Sequence, residues 1–353
     1  MTDFLQKMTS AFHRLVNLYR PSTLKENGWV WGAGLLTVTY IIIVLILGFL
    51  WNTEPDPFNV RQATREITHQ SDAGFVVGSV TTATMIRIGE TLLYKRGGYL
   101  SNDIAPPGVL MDNQPNWEFG ALVMLRDSSG ALRNHWSRSQ SQSLEDEDLA
   151  IAEPLLNFDN SSWILPSTEG EYKEAIAALE RYLFRLSDTS IQNAQFFVRA
   201  DNLKQYLDVV SKRLGSLSQR LSASVGQIRV NTDLANDPQA QQSTRTAKNI
   251  IVKTPWLEID DVFYEARGAS WALVHLLRAV EIDFQNVLEK KNAVISLRQI
   301  IRELESSQES ILSPVVLNGS GFGLLSNYSL TMANYISRAN AAIIDLRNLL
   351  EQG

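Results

Sequence analysis

One stretch constrains this chain more than any other. From Trp29 to Trp51 no residue is charged, and the run includes Tyr40-Ile41-Ile42-Ile43-Val44-Leu45-Ile46-Leu47-Gly48-Phe49-Leu50. As an α-helix the segment would be about 34 Å long, enough for a hydrocarbon core of about 30 Å. Isoleucine-rich apolarity on every face over this length points to a transmembrane helix rather than a buried core helix. Trp29, Trp31, Tyr40 and Trp51 are the expected membrane-anchoring residues, with tryptophans at both ends of the span. The apolar run is too long for a signal-peptide core. Its exit, Phe49-Leu50-Trp51-Asn52-Thr53, lacks a small-x-small cleavage pair, so an uncleaved signal anchor is expected.

Flanking charge sets the expected orientation. Lys7, Arg14, Arg20 and Lys25 precede the span, whereas Glu54, Asp56, Arg61 and Arg65 follow it. The positive bias places the N-terminus in the cytoplasm and the rest of the chain outside, in the periplasm of a Gram-negative host. The whole chain carries 32 Lys+Arg against 38 Asp+Glu, a net −6. The first 51 residues hold four positive and two negative charges, which leaves −8 for residues 52–353. Such a domain is not built to lie flat on anionic lipid, nor to bind nucleic acid. The chain has no cysteine. That excludes disulfides, cysteine-ligated metal sites and a cysteine nucleophile, and is compatible with an oxidising compartment.

Four segments follow: a cytoplasmic segment 1–28, the span 29–51, a juxtamembrane linker 52–71 and a helical domain 72–353. In the first, Phe4, Met8, Ala11, Phe12, Leu15 and Tyr19 recur at helical spacing up to Pro21. The stripe fits an interfacial helix on the cytoplasmic leaflet and, equally, a short helix that docks a partner. In the linker, Pro55 and Pro57 favour extended chain.

The large domain reads as all-α. A helix is expected over Asp72–Tyr94, ended by Gly97-Gly98. A second is expected from Asn116 to about Leu125, interrupted or kinked at Asp127-Ser-Ser-Gly130, with a further piece through His135 and Trp136. Ser143 with Asp146, and Thr168 with Glu171, resemble capping boxes. Leu203, Leu207, Val210, Leu214, Leu217 and Leu221 then repeat in a 4-3-4-3-4 spacing, continued by Val225 and Ile228. Val262, Ala266, Ala269, Leu273, Leu276 and Val280 repeat it, extended by Ala293, Leu297, Ile300 and Leu304. Met332, Ile336, Ala339, Ile343, Leu346 and Leu350 repeat it a third time. Three coiled-coil-like heptad stripes predict an antiparallel helical bundle packed at about 20°. A stripe does not say whether its partner lies in the same chain, so a homo-oligomeric coiled coil is the other solution. The polar stretch Asn231–Asn249 reads as an exposed linker or hairpin end, and no long run alternates in the strand period.

Sites of recognisable chemistry are few. Glu66-x-x-His69 has the spacing of di-metal bundles, but its second copy is missing, so no metal and no cofactor are expected. His275 sits between apolar neighbours as a core histidine would. Gly319-Ser-Gly-Phe-Gly323 lacks both the Lys-Ser/Thr ending of a phosphate loop and a preceding strand, and reads as a turn around Phe322. One acid stands out: Glu118 opens a helix after an ordered loop, with Ser129-Gly130-Ala131 about twelve residues on. Lytic transglycosylases, which cut peptidoglycan with a single glutamate, show a loosely similar spacing. Their Gly-Leu-Met-Gln continuation is replaced here by Leu132-Arg133-Asn134-His135.

The densest polar and aromatic region runs from Tyr99 through Asn102, Asp103, Trp117, Glu118 and Phe119, and is the candidate interaction loop. Its phrases Gly98-Tyr-Leu-Ser-Asn-Asp103 and Pro115-Asn-Trp-Glu-Phe-Gly120, with the Ser137-Arg-Ser-Gln-Ser-Gln-Ser143 run, resemble a proteobacterial family of single-pass inner-membrane proteins catalogued as a domain of unknown function. The resemblance covers the whole chain and brings no catalytic residues with it. The expected role is a periplasmic interaction or scaffold protein in cell-envelope organisation, partnered by an envelope protein or by itself. The alternative is a peptidoglycan-active hydrolase that uses Glu118.

Overall fold

The computed structural model describes residues 6, 10, 17–139, 143–188, 190, 193–230, 249–311, 313, 315–321 and 323–352. The chain forms two compact units, Met1–Trp51 and Asn52–Gly353. Among the described residues there are eleven helices and one two-stranded sheet, and the structure is 69% helical, so the fold is mostly all-α.

In the first unit, α1 (Pro21–Trp51) is broken at Gly28, whose φ of +84° only glycine adopts readily. Within Gly28–Trp51 the most apolar 18-residue window has a mean hydropathy of 2.6, and none of that window is buried. The segment is long and apolar enough to cross a membrane. Phe4, Met8, Ala11, Phe12 and Leu15 of the N-terminal stripe lie outside the described residues.

The second unit departs from expectation at its start. Residues 52–71 are not only a linker, because Val60–Thr68 forms a helix, α2, capped by the Asn59 side chain and burying Val60, Ala63 and Thr64. The preceding segment is pinned as well. Glu54 forms a two-pronged ion pair with Arg267, at 2.6 Å for each bond, and the Phe58 amide donates to His275 Nε2 at 2.9 Å. Sequence periodicity missed α2 because a nine-residue helix with three small or β-branched buried positions carries little apolar signal.

Helix α3 is Ser79–Tyr94, shorter than the expected Asp72–Tyr94 because Gly78 (φ +90°) sets its start. Its first amides are capped from afar: Asp283 accepts from the Gly78 and Thr81 amides at 2.9 and 2.7 Å. Helix α4 (Asn113–Ala131) runs unbroken through Asp127–Gly130 and widens into a π-helical turn, Leu132–Trp136. The expected interruption is absent: Ser128 and Ser129 are buried, and Ser128 Oγ donates back to the Leu125 carbonyl. Helix α5 (Glu147–Leu156) is capped by Asp146, and α6 (Thr168–Ser187) by Ser167, each offset from the cap read in the sequence. Helix α7 (Ala200–Ser222) ends before Val225, and Ile228 falls in β1 (Gln227–Val230), paired antiparallel with β2 (Asn249–Val252). Residues 231–248, most of the expected polar linker, lie outside the described residues. The remaining helices are α8 (Ile259–Asp283), α9 (Gln285–Lys290), α10 (Val294–Ser306) and α11 (Tyr328–Glu351).

The stripes are satisfied within the chain. Leu203, Leu207, Val210, Leu214, Leu217 and Leu221 of α7 are buried, as are Met332, Ile336, Ala339, Ile343, Leu346 and Leu350 of α11. The two helices run antiparallel, since Ser211 Oγ meets Asn340 Oδ1 at 2.9 Å and Ser218 Oγ meets the Ala333 carbonyl. At the centre, α4 and α8 lie backbone to backbone. A Cβ at Gly120 would lie 1.9 Å from the Glu265 carbonyl oxygen, and one at Gly268 would lie 1.9 Å from that of Trp117. Trp117 and Trp271 fill the space beside this contact, ring centroids 5.1 Å apart.

Side-chain ties gather four connections at one end of the domain. Asn102 Nδ2 donates to the Ser162 carbonyl, joining the segments before α4 and α6. Asn116 Nδ2 donates to Asp261, joining the start of α4 to the start of α8. Arg267 donates to the Ser307 and Glu309 carbonyls after α10, and Asn318 reaches the Ser224 carbonyl after α7. The chain enters the domain at this same end, through Glu54 on Arg267.

Candidate functional site

The candidate loop is organised by one buried ion pair. Lys95 closes the turn after α3, its side chain 3% exposed, and its Nζ lies 2.5 Å from Glu118 Oε1. Glu118 sits one turn into α4 with no exposure. Its Oε1 also accepts the Leu100 amide at 2.8 Å, and its Oε2 accepts the Ser101 amide at 2.9 Å and the Ser101 hydroxyl at 2.5 Å. Lys95 Nζ further donates to the Gly98 carbonyl. One carboxylate thus holds residues 95–101 against α4.

The electrostatics follow from this enclosure. Burial pushes the Glu118 carboxyl above the usual carboxylate range, against the pull of Lys95, Ser101 and the Leu100 amide. A raised value is one requirement of a general acid, and access to substrate is the other. Glu118 has no access, because both oxygens are engaged and no part of it is exposed. A cleft of about 590 Å³ alongside is lined by Lys95, Arg87, Glu90 and Tyr94, and Glu118 does not line it.

The structure brings most of the candidate loop residues together, though chiefly as packing. Tyr99 is buried edge-on to Tyr172 at 5.7 Å, and its hydroxyl donates to the Asn160 carbonyl. Asn102 donates to Glu169 at 2.7 Å as well as to Ser162. Asp103 packs under Gly108, where a Cβ would lie 1.9 Å from its Oδ2, and burial with the nearby Glu169 pushes its carboxyl up. Trp117 is wholly buried against α8, and Phe119 is half-buried. The membrane-anchoring candidates lie on α1 instead, with Trp29 and Tyr40 exposed.

The other chemical candidates resolve as structure. His69 caps α2 in a left-handed conformation while Glu66 pairs with Arg87. No group of metal-binding side chains occurs among the described residues. Gly319 sits in a turn closed by Asn327, whose side chain donates to the Gly319 carbonyl and accepts the Leu330 amide at the start of α11. Phe322 lies outside the described residues. Sequence reading missed Lys95 and Arg267 as partners. Lys95 is 23 positions from Glu118 and Arg267 is 213 from Glu54, and no motif encodes such pairs.

These features define a class: a helical-bundle domain that follows one N-terminal helix apolar enough to span a membrane. Residues 24–353 match the model of a family described as an uncharacterized protein conserved in bacteria, DUF2333, and the chain belongs to that family. No curated protein and no solved structure matches it.

Proposed function

We propose that this chain is a membrane-anchored interaction or scaffold protein of the bacterial cell envelope, without catalysis or a cofactor. Residues 29–51 cross the inner membrane once, with the N-terminus cytoplasmic and the helical domain periplasmic. Its partner is an envelope protein or a second copy of the chain. The observation that carries this reading is the state of Glu118. The acid best placed for chemistry in the sequence is a closed structural node whose donors are Lys95, Leu100 and Ser101. A group saturated in this way organises a surface and does not turn over a substrate.

The test is direct. Purified full-length protein in detergent is incubated with peptidoglycan sacculi. No soluble fragments should appear, with the wild type or with Glu118→Gln. Release of fragments by the wild type, abolished in Glu118→Gln protein whose circular dichroism is that of the folded wild type, would establish the hydrolase instead.

A further inference from the structure

The end of the domain at which the chain enters is also its apolar end. Most of the exposed large apolar side chains of residues 52–353, among those described, lie on the four connections gathered there. Leu110 precedes α4, Trp163 and Leu165 precede α6, Trp256 and Leu257 precede α8, and Leu324 precedes α11. They are 54% to 106% exposed. Exposed apolar residues elsewhere, such as Leu144, Phe184 and Ile295, are scattered, as on any soluble surface. Apolar tips on four separate loops at one end are a different matter, because each loop had polar residues available and their convergence needs a cause.

The cause lies in the chain path. Only Asn52 and Thr53 separate the last residue of α1 from Glu54, and Glu54 is clamped by Arg267 at this end. We propose that these loop tips insert into the headgroup–acyl boundary of the bilayer in which α1 is anchored, seating the domain on the membrane. The proposal rests on the reading of residues 29–51 as a membrane span. The chemistry favours apolar insertion over charge attraction. Tryptophan and leucine are side chains of the membrane interface, whereas Asp112, Glu258, Asp260 and Asp261 at the same end would repel anionic lipid. The same acidic groups make a zwitterionic surface the better occupant.

The absence of cysteine makes the test clean. The full chain is reconstituted in phosphatidylcholine vesicles with single substitutions Leu165→Cys, Leu257→Cys, Leu324→Cys, Ile295→Cys or Leu45→Cys, each carrying a polarity-sensitive fluorophore. Lipids with nitroxide-labelled acyl chains are then added. The proposal expects loss of emission at 165, 257, 324 and 45, and none at 295. Quenching at 45 with 165, 257 and 324 no more affected than 295 would overturn the proposal and leave the anchor standing. Loss of water exposure at 165, 257 and 324 without lipid quenching would also overturn it, in favour of a protein occupant. No quenching at 45 would remove the anchor itself.

Discussion

The backbone amide of Phe58 donates to Nε2 of His275 at 2.9 Å, and the Phe58 ring stacks on the same imidazole, centroids 4.0 Å apart and 14° from parallel. The other ring nitrogen, Nδ1, donates to the Trp271 carbonyl at 2.7 Å. The histidine is therefore held neutral, with its proton on Nδ1, and it fastens the segment that follows the apolar helix onto α8.

This arrangement gives a pH dependence of defined sign. Burial lowers His275 from 6.5 to about 4. A group depressed on folding contributes stability that is complete above 6.5 and lost as pH falls through 4, on the order of 3 kcal/mol. Asp283, pushed up by burial to about 6, has the opposite sign over the same range. The difference between wild type and His275→Gln isolates the histidine. Chemical denaturation at pH 7 and pH 4 should show the wild type losing more stability than the variant on acidification. The protection of the Phe58 amide against hydrogen exchange, taken relative to its intrinsic rate at each pH, should fall with it.

The Lys95–Glu118 pair predicts a non-additive pair of substitutions. Glu118→Gln leaves a lysine buried without its counter-charge, which costs about 3–5 kcal/mol. Lys95→Met with Glu118→Gln removes both charges and keeps an oxygen for one of the Leu100 and Ser101 amides, so the double variant should be more stable than Glu118→Gln alone. Urea titration of the three proteins checks the order.

Two glycines on α4 should respond in opposite directions. Gly120→Ala drives a methyl into the Glu265 carbonyl and should destabilise by about 1–3 kcal/mol or more. A Cβ at Gly130 meets nothing within 4 Å, so Gly130→Ala should stabilise by about 0.5–1 kcal/mol through the helix preference alone. Thermal melting of the two variants separates them.

The sequence made the long elements of this fold legible. The five leucines and Val210 of α7 and the six-residue stripe of α11 repeat at the period of a helix face, and every one of those twelve positions is buried. Where length or locality failed, the sequence was silent. The four-residue strands β1 and β2 are too short to show alternation, and α2 buries too few large side chains to show a stripe. At the candidate site, Glu118 and its loop stood out by composition. Their role did not, because a carboxylate is defined by what faces it, and Lys95 arrives from the end of another helix. The convergence of Leu165, Leu257 and Leu324 at one end likewise depends on helix directions that only tertiary contacts supply.

The central claim is a single anchor with the helical domain outside the cytoplasm. Alkaline phosphatase and a green fluorescent reporter, each fused after Gly353 and expressed in a Gram-negative cell, test it most directly. An active phosphatase and a dark fluorescent fusion are expected. An inactive phosphatase with a bright fluorescent fusion would contradict it.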